Sequence, residues 1–451
     1  MLNNNLERRD FLKCILGGIS MIAFDWSSFP RAVNANTETD QFDAIIIGSG
    51  LGGLSCAAAF ARQGFKPLVL EQHNRPGGYA TTFRRPGGFV FDVSLHSTSV
   101  NERNGLYNLI PGFPEITDVE FLPHPNLYRV IYPDYDIRVP QKNLKEYINI
   151  LNGHFPEEKE GINGIIDDMQ GLSRDIQKIS NARGNVDMSQ FPVDFPYLFK
   201  CYNKTWGQMV DERIQNPKLK AIISAQWGYY GLPPSRLASY YYALPAIGYL
   251  TSGGYYPKGK SQKISDALVQ FIEKNGGKIM LKTRVQQILT KEQTAYGIKT
   301  DKGEEYNAKV VISNANAHDT FLKMLNEKEY LKNYLAQFDN FSVSLSCFQI
   351  FLGLKENLVG KAGITDSEIF YEHGYDMDAG YQAAKNADVE NCGFGLTLYD
   401  NIYQGYSPEG KNTLNILTLQ GYSHWEKYES DYLTATKPHT GKKKRGWRIS
   451  L

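Results

Sequence analysis

The chain has 451 residues, 42% of them hydrophobic, which is enough apolar side chain for a large core and for more than one domain. Its formal net charge of +1 gives no global field that would draw in nucleic acid, so that class of partner is excluded outside local patches. The eight His and five Cys lie without C-x-x-C pairs or metal-ligand spacing, so no metal site is expected and Cys56, Cys201, Cys347 and Cys392 read as buried free thiols.

The amino terminus reads as a targeting segment to be set aside from the fold. Arg8-Arg9-Asp10-Phe11-Leu12-Lys13 is a twin-arginine pattern, with Glu7 where Ser or Thr commonly precedes the pair. An apolar stretch over 14–24 follows, short for a permanent span, and Val33-Asn34-Ala35 offers small residues for cleavage. Residues 1–35 are therefore expected to be an export signal read by the twin-arginine translocase, delivering a folded chain to the bacterial periplasm or to a membrane surface. A chance Arg pair or an amphipathic anchor is the plainer alternative.

Residues 42–82 carry the clearest chemistry. Asp43-Ala44-Ile45-Ile46-Ile47 has the β-branched run of a strand buried on both faces of a parallel sheet. Gly48-Ser49-Gly50-Leu51-Gly52-Gly53 fits G-x-G-x-x-G, and the Ala- and Leu-rich residues after it predict a helix ended by Gly64. Gly48 permits the tight turn, Gly50 lets backbone approach a pyrophosphate, and Gly53 lets helix and strand pack closely. The pyrophosphate would sit at the helix N-terminus, where free N–H groups favour an anion. A second strand over 66–70 delivers Glu71, whose carboxylate suits ribose hydroxyls and would repel a 2′-phosphate. Beyond Gln72, the pair Gly77-Gly78 with Tyr79 provides a second backbone approach to the diphosphate, and Thr81 or Thr82 can supply a hydroxyl.

On these residues the chain resembles the flavin-dependent family of phytoene desaturases, carotene isomerases and retinol saturases, itself related to the amine oxidases. G-x-G-x-x-G-x-x-x-A, ending at Ala57, and then E-x-x-x-x-x-G-G match that superfamily's signature without a gap. The segment from Phe83 to His96, containing Gly87-Gly88-Phe89-Val90-Phe91-Asp92, is similar to the family's hairpin beside the flavin, with Ser94 where Gly is frequent. The resemblance implies FAD as cofactor, places His96 at the flavin's reactive face as the catalytic candidate, and assigns Val285 to the adenine. A single His after an apolar strand is also commonly a satisfied structural residue. Val310-Val311-Ile312-Ser313-Asn314-Ala315 is similar to the strand that re-enters the nucleotide sheet, which brings Asn314 to the same site.

Over 100–250 the βαβ rhythm lapses. Ile162, Ile165, Ile166, Met169, Leu172, Ile176 and Ile179 recur at helical spacing. Aromatics then cluster near turn residues, in Trp227-Gly228-Tyr229-Tyr230 and Tyr240-Tyr241-Tyr242; ordinary packing and a lipid-binding tunnel or membrane-docking face both account for them. A helix is predicted over 261–275, with Lys260 where relatives carry a second Gly, and strands over 278–281, 284–289, 296–299 and 308–313. Alternation over 342–354 and 414–420 suits a half-buried antiparallel sheet, which in the family floors the substrate cavity. After Tyr428 comes a basic tail, Lys442-Lys443-Lys444-Arg445, without the glycine-rich motif with which relatives close over the flavin, so a truncated product is expected; a natural solvated terminus is the alternative.

The expected fold is α/β: a Rossmann-like FAD-binding domain of glutathione reductase type from 40–100 and 252–320, and an α+β substrate domain with an antiparallel sheet from 101–251 and 321–430. The expected function is FAD-dependent oxidation, reduction or isomerisation of carbon–carbon bonds in an apolar isoprenoid- or lipid-like substrate, with possible peripheral membrane contact. An amine-oxidase-like enzyme and an inactive or prenyl-binding relative are the alternatives, since fold alone proves no activity.

Overall fold

The structure, a computed structural model, describes residues 42–101, 104–105, 118–181, 186–187 and 189–430; the expected leader and the basic tail lie outside them. Four parallel strands make the nucleotide sheet, in the order Lys278–Met280, Pro67–Leu70, Ala44–Ile47, Val310–Ser313. Successive residues of a strand point to opposite faces. Ala44 and Ile46 therefore pack with Leu54, Ala57 and Ala58 of the helix Leu51–Arg62 and with Ile264, Leu268 and Ile272 of the helix Ser261–Lys274. Ile45 and Ile47 face the other way, onto Val285, Ile288 and Ile298 of the antiparallel ribbon Val285–Lys291, Thr294–Thr300, Glu305–Asn307. Both faces of the two central strands are covered, which is why Ala44–Ile47 and Pro67–Leu70 are apolar throughout.

The second layer system is a six-stranded sheet in the order Ser346–Leu354, Asn412–Gln420, Phe394–Thr397, Glu368–Tyr371, Tyr128–Ile131, Asp136–Val139. It is antiparallel except where Glu368–Tyr371 runs parallel to Tyr128–Ile131, so the expected antiparallel sheet is a mixed one. The parallel pair joins segments far apart in the chain, with two strands of the nucleotide sheet, Lys278–Met280 and Val310–Ser313, lying between them in sequence. Helices back this sheet. Lys159–Asn181 buries Ile162, Ile165, Ile166, Met169, Leu172 and Ile179 as their spacing predicts. Ser239–Ser252 runs through Pro245, correcting the reading of 240–245 as a turn-rich stretch. Proline forgoes one backbone hydrogen bond inside a helix. Here the surrounding packing carries it: Tyr242 is fully buried and stacks on Trp206 at 4.5 Å between ring centroids.

The hairpin Thr82–Arg84 with Val90–Asp92, turned at Gly87 and Gly88, ends in a buried carboxylate that ties the two systems together. Asp92 accepts from the Ser261 N–H at 2.9 Å, from the Ser261 hydroxyl at 2.5 Å and from the Tyr256 hydroxyl, and the Lys260 ammonium lies 3.9 Å away. Lys260 itself has φ +67°, backbone in which Gly is at ease and a lysine is strained by about 1–3 kcal/mol. Its side chain is held with the ammonium over the Tyr406 ring and near Asp92.

Among the four cysteines described, all free, Cys201 and Cys392 are buried and Cys56 is half-buried, whereas Cys347 is exposed, contrary to expectation, because it sits at the open edge of the six-stranded sheet. No helix among the described residues is long and apolar enough to cross a membrane.

Candidate functional site

The turn after the first strand is built from contacts that exclude side chains. Gly48 has φ +93°, and a Cβ on Gly53 would lie 2.1 Å from the Gly48 carbonyl oxygen. The second glycine pair locks against the first: Gly77 N–H donates to the Ser49 carbonyl at 2.8 Å, and a Cβ on Gly78, at φ +58°, would lie 3.1 Å from the Gly50 Cα. The helix Leu51–Arg62 opens at Gly50 with no side-chain cap and no acidic residue in its first turn. Its first N–H groups are therefore left for an anion.

Glu71 leaves the second strand beside this cradle. One carboxylate oxygen accepts from the Ser49 N–H at 2.9 Å and the Ser49 hydroxyl at 2.8 Å, and the other accepts from the His73 N–H at 2.8 Å. Three donors thus fix the carboxylate before any ligand arrives. Backbone bonds from Thr283 to Glu71 and from Lys282 to His73, at 2.8 and 2.9 Å, bring Val285 to the same wall.

A single cleft of about 1220 Å3 joins these parts. Gly48, Gly50, Leu51, Glu71, Gln72, Gly77, Gly78, Tyr79, Val285 and Asn314 line it at one end, and His96 lines it at the other. Ser49, Gly52, Gly53 and Thr81 do not form its wall. Ser49 is fully buried with its hydroxyl on Glu71, Thr81 donates its hydroxyl to the Gly78 carbonyl at 2.9 Å, and Gly52 and Gly53 make room for Asn314 and Gly48. These four support the cradle from behind.

At the far end the structure brings His96 together with Tyr399 and Glu368, which the sequence did not single out. His96 Nδ1 lies 3.0 Å from the Tyr399 hydroxyl, and Tyr399 donates to Glu368 Oε1 at 3.3 Å. Tyr229, which lines the cleft and is 49% exposed, donates to Glu368 Oε2 at 3.4 Å. Tyr256 stacks on Tyr399 with ring centroids 3.9 Å apart, linking this cluster to Asp92. The tyrosine-rich segments therefore divide: Tyr242 is core, while Tyr229, Tyr230 and Tyr249 face the cleft. For Glu368 the available signal was an acidic residue opening an otherwise apolar run, Glu368-Ile369-Phe370-Tyr371.

Burial sets the charges here. It lowers His96 to about 4, with Asp92 pulling weakly the other way, and lowers His124 to about 3, so both imidazoles are neutral at pH 7. Glu368 is 3% exposed, and burial raises its carboxyl from 4.5 to about 7 against the opposing hydrogen bonds of Tyr399, Ser97 and Tyr229. The folded chain accordingly holds a proton between those two values that the unfolded chain has released. Stability from this group is complete below the unfolded value and is lost as pH rises through about 7. The loss amounts to about 3 kcal/mol. Glu368→Gln should flatten that part of the curve, read as urea midpoints at pH 5 and pH 8; an equal wild-type-to-variant difference at both would contradict the assignment.

Among the described residues no group of three or more His, Cys, Asp or Glu is placed to hold a metal ion.

Comparison with known proteins agrees with this geometry. Residues 46–107 match the family model of an NAD(P)-binding Rossmann-like domain. Over 406 residues the chain is 28% identical to prolycopene isomerase 1, chloroplastic, of an Oncidium hybrid cultivar, covering 86% of this chain and 66% of that protein. It is 26% identical over 429 residues to all-trans-retinol 13,14-reductase of Danio rerio, covering 88% of this chain and 69% of that one. The chain thus spans about two thirds of the length of these relatives. An oxidoreductase from Methanosarcina mazei superposes with a TM-score of 0.59 at 18% identity, over 87% of this chain and 82% of that one, and shares the fold. The expected resemblance to the carotene isomerase and retinol saturase group, and the expected fold class, are borne out.

Proposed function

We propose that this relative of prolycopene isomerases and all-trans-retinol 13,14-reductases is a FAD-dependent oxidoreductase that acts on carbon–carbon bonds of an apolar polyene or isoprenoid, by desaturation, saturation or isomerisation. The observation that carries the reading is the continuity of the cleft. Its volume of about 1220 Å3 exceeds what a drug-sized ligand fills, leaving room for a dinucleotide and an apolar substrate together.

The residues present fit FAD. Two interlocked glycine turns keep side chains out of the phosphate path, an uncapped helix start offers N–H donors, and Glu71 is held ready for ribose hydroxyls. When bound, the flavin supplies hydride exchange with carbon. The chain's own part is to hold the adenosine end through Glu71 and the backbone at Val285, to present an apolar, aromatic wall to the substrate, and to keep His96 neutral beside it.

The purified chain should show flavin absorbance, and the released cofactor should be FAD. Glu71→Ala removes the acceptor and also leaves the Ser49 and His73 N–H groups unpaired. It should lower the FAD retained after gel filtration at least tenfold, consistent with about 1.5–3 kcal/mol for hydrogen bonds to a charged group. Unchanged flavin content in the variant would remove the ribose assignment, and a colourless wild-type protein that takes up no FAD would overturn the reading.

A further inference from the structure

Glu368 is the feature of the cleft that the nucleotide site leaves unexplained. It stands on the first residue of Glu368–Tyr371, at the centre of the six-stranded sheet, and is almost wholly buried. Each of its two oxygens accepts from a different phenol, Tyr399 on one side and Tyr229 on the other, and Tyr229 reaches the cleft. Tyr399 in turn meets His96, a second cleft residue. One carboxyl therefore serves two exits to the same cavity.

We propose that Glu368 is the proton store of the site, exchanging its proton with the bound polyene through the hydroxyl of Tyr229 and being refilled through Tyr399 and His96. The proposal rests on the polyene reading above and names the proton path for it. In the saturating direction, one carbon of a C=C bond takes the proton of the Tyr229 hydroxyl, the π pair forming that C–H bond. The neighbouring carbon receives a hydride, with its electron pair, from a dihydroflavin-class reductant. The O–H pair stays on the Tyr229 oxygen, which takes the proton of Glu368 and leaves a carboxylate. In the oxidising direction every transfer reverses.

The surroundings favour Glu368 over its neighbours for this role. Facing it are Tyr229 from the turn Ala225–Tyr230, Tyr399 from the turn Tyr399–Asn401, and the backbone of Ser97. Tyr249 of the helix Ser239–Ser252 and Tyr256 feel its charge. His124 reaches its neighbour Ser367 at 2.7 Å, and Asp92 stands beyond the Tyr256 ring. Among the described residues no Lys or Arg pairs with Glu368, so no fixed cation holds it permanently ionised. Burial raises it to about 7, while the two imidazoles are held neutral. Tyr229 is half exposed as a residue, but desolvation of its hydroxyl end and then the Glu368 charge raise its phenol well above the ordinary value, so it needs a partner that returns its proton. Glu368 is a positioning residue in this scheme, and Tyr229 touches the substrate.

Infrared titration of the full chain from pH 5 to pH 9 tests the store directly, whether or not flavin is bound, so its failure is distinct from a missing flavin spectrum. Wild type should lose a buried carboxylic-acid band with a midpoint near 7. Glu368→Gln should abolish that band, whereas Glu372→Gln, which removes a second carboxyl raised by burial, should leave it. Tyr229→Phe should keep the band and move its midpoint upward, since a donor to the carboxylate is gone. With all-trans-retinol as the probe substrate, Glu368→Gln should lower kcat at least tenfold with KM within twofold and erase the limb centred near 7, and Glu368→Asp should restore part of it. Survival in Glu368→Gln of the band with its midpoint near 7, absence of that band in wild type, or an unaltered pH profile in the Gln variant would overturn the proposal. If the Gln variant does not fold, Tyr229→Phe decides: retained turnover there overturns it.

Discussion

Gly53→Ala is expected to lose both nucleotide binding and a large part of the chain's stability. The added Cβ would lie 2.1 Å from the Gly48 carbonyl oxygen and 3.2 Å from its carbon. Neither atom can retreat. Gly48 is held in the left-handed region at φ +93°, and its N–H is bonded to the Leu70 carbonyl at 2.8 Å in the middle of the parallel sheet. The helix Leu51–Arg62 must move instead, which pulls its first N–H groups away from the phosphate position and opens its packing on Ala44 and Ile46. Overpacking of this kind costs about 1–3 kcal/mol where a core can yield. With rigid backbone on one side a loss of about 4 kcal/mol is expected. FAD retention should fall at least about a hundredfold, since that factor corresponds to only about 2.7 kcal/mol of misplaced contacts. Gly52→Ala is the contrast: its Cβ would meet the Asn314 Oδ1 at 2.6 Å, a side-chain tip that can swing aside. Urea unfolding with flavin content on both variants checks this, and a Gly53→Ala midpoint equal to wild type would show that the helix is not pinned at Gly48.

Asp92→Ala should be comparably damaging for a different reason. The carboxylate is the shared acceptor for the Ser261 N–H, the Ser261 hydroxyl and the Tyr256 hydroxyl, and it is the nearest counter-charge of Lys260, whose ammonium is itself buried. Removing it strands the Ser261 N–H, the Tyr256 hydroxyl and a cation at once, and leaves the Ser261 hydroxyl only the Thr81 carbonyl at 3.3 Å. Breaking a buried pair from one side costs about 3–5 kcal/mol, and each stranded donor adds to that. The variant should also show a pH signature. Burial already lowers the Lys260 pKa, with Asp92 as the first opposing influence. Without Asp92 the ammonium sheds its proton more readily, so the deficit should shrink as pH rises toward the alkaline range. Guanidinium unfolding at pH 7 and pH 10 measures this; Asp92→Asn, which keeps an acceptor for Ser261, should lose less.

The nucleotide half of the site was legible because its information is local. Strand, glycine turn, helix, strand and acid follow one another within 42–71, and each residue's role depends on neighbours a few positions away. The same holds for the helix face from Ile162 to Ile179. The proton-handling half was not legible. Tyr229, Glu368 and Tyr399 come from three separate elements, and only sheet pairing across the domain brings them to His96. The parallel pairing of Glu368–Tyr371 with Tyr128–Ile131 is equally non-local, since alternation marks a half-buried strand but not the direction of its partner. Lys260 was visible as a departure from the family's Gly. Its meaning depends on φ +67° and on Asp92, which composition does not reveal.

The order of the parallel sheet has a consequence for how the chain is made. Ala44 pairs with Val310, and Asn314 beside the glycine turn follows that last strand. A ribosome adds about 5–20 residues per second, so the first strand waits on the order of tens of seconds for its outer neighbour. During that interval the apolar edge of Ala44–Ile47 is an open template for wrong pairing. The helical layer around Lys159–Asn181 is complete well before the nucleotide sheet can close. A nucleotide that needs the closed cradle would therefore be captured only once Val310–Ser313 has been made, and its supply from that moment would favour the correct sheet by binding the form in which this strand has docked.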